Sequence, residues 1–446
     1  MDALRVAVVG GGTAGTAAAL SLHRAGHSVV LLERVPDPGP VGAGILLQPT
    51  GMAVLSELGL DGEVAARAAR VARLQGTTAA GRTVMDLHYD DWRSGAFGLG
   101  VHRGILFSAL WDALGRDGVE VRTGVDVNGV SAVGAGAGVG VGAGAVGGAG
   151  ATTGPRAGAG RGRVLHTRDH GDLGPFDLVV CADGARSALR AATGLVRRAR
   201  PYPWGALWAI VPDPKERFGG VLAQTYRGTT EMVGTLPSGR VRLPGGGADV
   251  PCVSLFWSLH GDTVAAVRAA GLDAWKADVL TLAPRVAAIL EQLTDPAQLL
   301  FAAYHDVVLR RWHAGDGLVV LGDAGHAMSP QLGQGANLAL IDAWVLTRCL
   351  ADAGRGPGAL AGALAAYSAR RRRHLRFYAL TSRLLTPVFQ SDLPGVGVAR
   401  DALMGPAARV PWVRGQMVQS LAGTKTGVLS TLGGPDAVLD RVPVPG

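Results

Sequence analysis

Apolar residues run through positions 4–9, stop at three consecutive glycines, and resume with helical spacing over 13–25 before a second apolar run at 28–33. This pattern predicts strand, Gly-rich turn, helix and strand, a βαβ opening. Helical spacing returns around Met52, Val54, Leu55 and Leu58 and again over residues 102–114, followed by strands near 119–123, 163–167 and 177–182. From about residue 202 to 260 the chain changes to short runs rich in Trp, Val, Leu and Tyr, broken by Gly and Pro (204–211, 221–226, 232–236 and 253–259). These predict an antiparallel sheet and hence a second domain. Helical periodicity over 262–293, a strand at 317–321, a helix over 335–350, and a long helix from Leu360 with an irregular tail complete the pattern.

With 446 residues, 48% hydrophobic and 17% charged, the chain has the composition of a folded protein of two or three domains, not of a disordered one. Cys181, Cys252 and Cys349 lie far apart without a CxxC pair, which excludes a disulfide framework and a Cys-based zinc site and fits a reducing cytoplasm. The net charge of +8 comes from arginines spread along the chain; of 43 basic residues only Lys215, Lys276 and Lys425 are lysines. The densest run, Arg370 to Arg373 with His374 and Arg376, falls in a helical pattern and reads as a solvated helix face or a domain contact, so no nucleic acid partner is expected. Two apolar stretches have lengths that invite a membrane reading. Glycines 10, 11, 12 and 15 interrupt the first. The second, residues 127–155, has 29 residues without a charge but eleven glycines, which makes it a flexible loop. Positions 134–162 are therefore expected to be a solvent-exposed low-complexity insertion without a site, and no integral membrane segment is expected.

Gly10-Gly11-Gly12-Thr13-Ala14-Gly15 matches G-x-G-x-x-G directly between the first strand and helix, and Glu33 closes the next strand. Gly10 makes the turn, Gly12 lets the backbone approach a pyrophosphate, Gly15 permits close helix–strand packing, and Glu33 accepts from ribose hydroxyls. The helix N-terminus offers unpaired N–H groups to the phosphates. Dinucleotide binding follows, with NAD and FAD both open on this motif. Downstream, Leu318-Val319-Val320-Leu321 ends in Gly322-Asp323, and the segment from Pro330 to Asn337, containing Gly333, Gly335 and Ala336, opens a helix. An acid at a strand end suits ribityl hydroxyls. A Gly-rich helix start presses N–H groups against the N1–C2=O edge of a flavin, where reduced flavin is anionic.

These elements, with Cys181-Ala182-Asp183-Gly184-Ala185-Arg186-Ser187 between them, resemble in order and spacing the FAD-dependent aromatic hydroxylases, the single-component flavoprotein monooxygenases of the p-hydroxybenzoate hydroxylase fold. The resemblance implies an α/β fold with a Rossmann-like FAD-binding domain (1–75, 100–200 and 301–355), an inserted antiparallel-sheet substrate domain (76–99 and 201–300) and a C-terminal helical region (356–446). It assigns FAD to Gly10, Gly12, Ala14, Gly15, Glu33, Arg34, Gln48, Arg103, Val127, Asp183, Gly322, Asp323, Gly333, Gly335, Ala336 and Asn337. In the family, the arginine matching Arg103 reaches the pyrophosphate and ribityl region, the loop matching Gly42-Ala43-Gly44-Ile45 passes near the flavin, and the Asp183-Gly184 element also touches a transient NAD(P)H site. The implied reaction reduces FAD with NAD(P)H, adds O2 to give a flavin C4a-hydroperoxide, and hydroxylates a small or polycyclic phenol. No second βαβ fingerprint serves NAD(P)H, which agrees with a nicotinamide that visits the cleft. A cytoplasmic monomer or homodimer without a metal is expected.

Substrate residues in this family lie on the second domain's sheet, where Trp208, Tyr226, Met232 and Trp257 are the polarisable side chains expected to line a pocket. His102, Arg310 and Arg311 are further polar candidates, and no catalytic acid or base is assigned. His326 reads as a packed, hydrogen-bonded imidazole. The run from Trp208 to Pro212 resembles the flavin halogenases' Trp/Ile/Pro motif but lacks its first Trp, and the lysine those enzymes need is absent, the first Lys being Lys215. Rival readings are a same-fold epoxidase, Baeyer–Villiger oxygenase or prenyl-chain reductase and, outside enzymes, a flavin-free prenyl-protein escort module.

Overall fold

The computed structural model describes residues 2–39, 42–133, 162–242, 248–315 and 317–432. The chain opens with β1 (Arg5–Val9), α1 (Thr13–Arg24), β2 (Ser28–Leu32), β3 (Gly44–Leu47), α2 (Pro49–Glu57), α3 (Asp61–Ala65), β4 (Ala69–Thr78), β5 (Thr83–His88) and β6 (Gly98–His102). It continues through α4 (Arg103–Arg116), β7 (Glu120–Arg122), β8 (Val127–Ala132), β9 (Arg163–Thr167), β10 (Asp172–Phe176), β11 (Leu178–Cys181) and α5 (Leu189–Ala192). Four long strands follow, β12 (Val196–Pro212), β13 (Gly220–Arg227), β14 (Glu231–Val241) and β15 (Val250–His260), then α6 (Val264–Ala270), α7 (Leu272–Leu282) and α8 (Ala287–Leu290). The last part holds β16 (Leu300–Leu309), β17 (Leu318–Val320), α9 (Asp323–His326), α10 (Gly335–Asp352), α11 (Ala359–Phe389), α12 (Val396–Arg409) and α13 (Pro411–Leu421).

Five strands in the order β17-β11-β1-β2-β7 form a wholly parallel sheet. Its central strands read as unbroken Val and Leu because both faces are covered: residues 6–9, 178–181 and 318–320 are all buried. α1 lies against α10 and buries its small residues Ala14, Gly15, Ala17 and Ala18. Gly15 is required there, since a Cβ would stand 1.8 Å from the Gly10 carbonyl oxygen.

A second sheet has nine strands, in the order β16-β12-β15-β14-β13-β4-β6-β3 with β5 on β4, antiparallel except for the parallel β13–β4 pair. It is larger than the hydrophobic pattern predicts and gathers strands from four stretches of chain. β16 begins at the boundary expected near residue 300 yet pairs along β12, from Trp208 opposite Leu300 to Val196 opposite Leu309. Its sequence, LFAAYHDVVL, has no clean alternation to announce it. One face of this sheet is sealed by α7 and α8, where Leu207, Val233, Leu255 and Trp257 bury against Trp275, Val279 and Ile289.

Two readings from periodicity change. The tail after α11, irregular by periodicity, is helical as α12 and α13, in line with the C-terminal helical region that the resemblance implies; Gly and Pro, including Pro406 inside α12, break the periodicity. The stretch expected as a loop from residue 127 begins as a strand, β8, which pairs with β9 so that Ala132 faces Arg163. Of the expected insertion, 134–162, all but Gly162 lies outside the described residues. α11 has 31 residues, about 46 Å at the usual rise, and reaches from α10 to the large sheet. Its basic run is solvated at Arg372, Arg373 and Arg376, but Arg371 and His374 turn inward and are buried. Among the described residues, no helix is long and apolar enough to cross a membrane.

Candidate functional site

Because β17, β11, β1 and β2 are neighbours, the loops that follow them all open at the carboxyl edge of one sheet. The glycine turn after β1 is built for a phosphate. α1 starts at Gly12 without a side-chain cap or an acidic residue in its first turn, and a Cβ on Gly12 would meet no protein atom within 4 Å. Its first N–H groups therefore face an open space. Glu33, half-buried at the end of β2, accepts the Gly11 N–H on Oε2 at 2.6 Å and the Val35 N–H on Oε1 at 2.9 Å. The carboxylate is thus fixed beside the glycine turn, with Arg34 exposed next to it. Val127 starts β8 and is buried near the same end, since the Val125 N–H donates to the Glu33 carbonyl.

After β17, Gly322 and Asp323 turn into α9, and α10 begins at Gly335 with no side-chain cap and no acid in its first turn. A Cβ on Gly335 would lie 3.9 Å from an Asp323 carboxylate oxygen, so this carboxylate borders the positive end of α10. Asn337 fastens the loop to β3 and α2: its Oδ1 accepts the Gln48 N–H at 2.8 Å, and its Nδ2 donates to Leu46 O at 3.2 Å and Gly333 O at 3.1 Å. Gln48 is wholly buried and accepts the Tyr89 hydroxyl at 2.5 Å, while its Nε2 has no partner among the described residues. Two uncapped helix starts with an acid near each, and an unpartnered buried donor held near the start of α10 through Asn337, suit a long ligand carrying phosphates, hydroxyls and a carbonyl edge. FAD fits that description.

The remaining candidates lie around this edge. The Asp183 carboxylate turns into its own loop, accepting the Cys181 thiol at 3.0 Å and the Leu189 N–H at 3.3 Å. Burial and that carboxylate push the Cys181 thiol well up, so it is not a nucleophile. His102 caps α4, accepting the Gly104 N–H on Nδ1 at 3.1 Å; burial lowers its pKa against the Gly42 carbonyl, which favours the charged ring. The exposed Arg103 lays its stem over Gly42. Arg310 and Arg311 are exposed after β16 and bond to none of these groups through their side chains.

Sequence reading missed two buried charges, Arg190 and Asp342. Arg190 donates to Ala324 O at 3.1 Å and Ala185 O at 2.9 Å, tying the Asp183 loop to the Asp323 loop. Asp342 accepts the Gly322 N–H at 2.8 Å and His326 Nε2 at 2.6 Å on one oxygen, and Arg371 Nε at 2.6 Å on the other. Burial alone would raise its pKa, but the His326 and Arg371 charges and these hydrogen bonds outweigh it and hold the carboxyl below the ordinary range. His326 is a packed, hydrogen-bonded imidazole, as expected, and it orders the turn that carries Asp323. The available signal was a lone acid inside the apolar start of α10 and an arginine within the Leu189-Arg190-Ala191-Ala192 turn.

The four aromatic and Met candidates divide between the two faces of the large sheet. Trp208 pairs with Phe256, and Met232 with both Ser258 and Tyr226, placing Trp208, Met232 and Tyr226 on the face opposite α7 and α8. Trp257 pairs with Leu207 and Val233 and is buried under α7 and α8, so its expected place in the pocket is corrected: one step of register puts it on the other side. Tyr226 is also enclosed, its ring on Phe389 and its hydroxyl on Gln224 Oε1 at 2.7 Å.

An α/β scaffold with this edge and a facing aromatic sheet is the arrangement a flavin-dependent oxidoreductase needs. The profile of the family described as FAD binding domain matches residues 3–142 and 175–379, and the chain belongs to that family, as a flavoprotein monooxygenase. It is 30% identical over 370 residues to the aurachin C monooxygenase/isomerase of Stigmatella aurantiaca, covering 80% of this chain and 83% of that one. It is 29% identical to the salicylate hydroxylase of Pseudomonas putida over 92% of both chains. The structure of Klebsiella pneumoniae HpxO with FAD and uric acid superposes with a TM-score of 0.70 at 22% identity, covering 93% of this chain and 97% of that one, a likeness of fold.

Proposed function

We propose that the protein hydroxylates an aromatic substrate with NAD(P)H and O2. The observation that carries this reading is the meeting of two uncapped helix starts, Glu33 and Asp323 at one sheet edge with the aromatic face of the large sheet. Bound FAD, reduced by NAD(P)H, supplies the activation of O2 that places one oxygen atom on an electron-rich ring. The chain's own residues bind and orient. N–H groups of α1 hold the pyrophosphate, Glu33 the adenosine ribose, and Asp323 the ribityl chain. The start of α10, ringed by Gly333, Gly335 and Ala336, meets the flavin's pyrimidine edge, where its dipole favours the negative charge of the reduced state. Gln48 Nε2 is a further donor on that side. The large sheet would cover the reacting ring and exclude water, so that O2 activated at the flavin is not released as hydrogen peroxide without product. Both named relatives are oxygenating enzymes, which favours this reading over a reductase.

Turnover under labelled dioxygen is expected to place one labelled atom in the product and to require NAD(P)H. Product formed anaerobically, or carrying oxygen from water, sinks the proposal.

A further inference from the structure

The sheet face opposite α7 and α8 is chemically uneven. Its centre carries Trp208, Phe256 and Met232, and β16 adds Tyr304 on the same side as Ala302. Among the described residues, the side chains at this centre are uncharged. The charges at its margins are already matched. Asp306, farther along β16, accepts Arg198 at 2.9 Å and Arg383 at 3.0 Å. Arg400, over the Tyr226 ring, donates from Nε and Nη2 to Asp401 at 2.8 and 2.6 Å. Arg383 keeps an unpartnered Nε, but Asp306 stands beside it, so a second carboxylate brought there meets a charge of its own sign.

A neutral relay crosses from the flavin loop to this face. Gln331, in the turn before α10, donates from Nε2 to Gln390 Oε1 at 2.7 Å, and Gln390 Nε2 donates to Ser258 Oγ at 2.6 Å. Gln390 and Ser258 are 4% and 2% exposed. The relay consumes an amide donor at one end and a hydroxyl lone pair at the other. It leaves the Gln331 carbonyl oxygen and the Ser258 hydroxyl proton for a ligand, one acceptor and one donor.

We propose that this site takes a neutral aromatic or fused-ring substrate carrying a hydroxyl or keto group and apolar substituents, and discriminates against benzoate-type carboxylates. Burying an ionised carboxylate against Trp208, Phe256 and Met232 strips its water with no cation in place, whereas a neutral ring with one polar handle gains apolar burial and pairs that handle with the relay. This deepens the hydroxylase reading and rests on it.

The test uses the FAD-loaded protein and reads ligand binding by perturbation of flavin absorbance. Methyl salicylate and salicylate differ chiefly in charge; 2-naphthol and 2-heptyl-4-hydroxyquinoline extend the neutral set, and 3-hydroxybenzoate the anionic one. Neutral ligands are expected to bind about tenfold tighter or more, methyl salicylate over salicylate included. Ser258→Ala is expected to weaken the neutral set about fivefold with FAD content unchanged, and Gln390→Lys to shift preference toward salicylate. Salicylate or 3-hydroxybenzoate binding as well as the neutral ligands overturns the proposal, as does binding by either acid when no neutral ligand binds. Failure to load FAD, seen as a colourless protein, would instead strike the flavoenzyme reading on which the proposal rests.

Discussion

Glu33 and Asp323 are both single carboxylates at strand ends, but their surroundings differ. Glu33 already accepts two backbone N–H groups, which fixes its angle, whereas Asp323 faces the start of α10. Glu33→Ala and Asp323→Ala are each expected to weaken FAD binding by about 1.5 to 3 kcal/mol, roughly tenfold to hundredfold, measured by flavin titration. Unchanged affinity in both would remove the cofactor assignment. His374 sets a pH dependence. Its Nδ1 faces Arg371 Nη1 at 2.5 Å and its Nε2 faces the Gly423 carbonyl at 2.8 Å, so one ring nitrogen accepts and the other donates, and the ring is neutral. Burial, reinforced by the Arg371 charge, holds its pKa well below the ordinary value. A histidine with a depressed folded pKa contributes stability that is complete above the unfolded value, about 6.5, and is lost as pH falls toward the folded one. Thermal stability is therefore expected to fall below about pH 6.5, with a slope of up to about 1.4 kcal/mol per pH unit from this group, and His374→Gln should flatten it. An identical slope in that variant would show that other groups carry the effect.

At the scale of elements, α1 does two jobs through two glycines, and substitution separates them. Gly15 touches the Gly10 carbonyl, while Gly12 has open space in front of it. Gly15→Ala is expected to destabilise the fold itself by about 1 to 3 kcal/mol or more, because backbone has to move. Gly12→Ala should leave the melting temperature of the flavin-free protein nearly unchanged and still reduce FAD affinity about tenfold or more, because its methyl occupies the space a pyrophosphate needs. Equal losses of stability in the two variants would contradict this division.

Across the whole molecule, α11 and the chain after α13 hold the flavin loop from behind. Three consecutive carbonyls are taken by three elements: Leu421 O by Gln334 Nε2 at 2.6 Å, Ala422 O by Thr50 Oγ1 at 3.2 Å, and Gly423 O by His374 Nε2 at 2.8 Å. Gln334 is the residue before α10, Thr50 lies at the start of α2 beside Gln48, and His374 is one turn from Arg371 and the Asp342 network. A chain ending at Ser420 is expected to keep its helical and strand content by circular dichroism yet lose most of its bound FAD. Full flavin occupancy in that chain would show that the clasp does not position the loop.

The glycine motif, Glu33, the Gly322-Asp323 turn and the Gly-rich start of α10 were legible in sequence because a phosphate and a flavin impose short, local spacings on a strand, a turn and a helix. Strands buried on both faces were equally plain, since parallel packing demands an unbroken apolar run. Tertiary structure alone decided which face each strand residue takes. Trp208 and Trp257 carry the same local signal, and only the pairing of Trp208 with Phe256 and of Trp257 with Leu207 sends one to the face opposite α7 and α8 and the other to the core beneath them. The same holds for Arg371, Asp342 and the carbonyls after Ser420: the Arg371–Asp342 pair spans 29 residues, and the Ala422 carbonyl meets Thr50 across 372. Sequence periodicity records which side of an element is apolar, but a charge is paired or orphaned by what the rest of the chain brings to it.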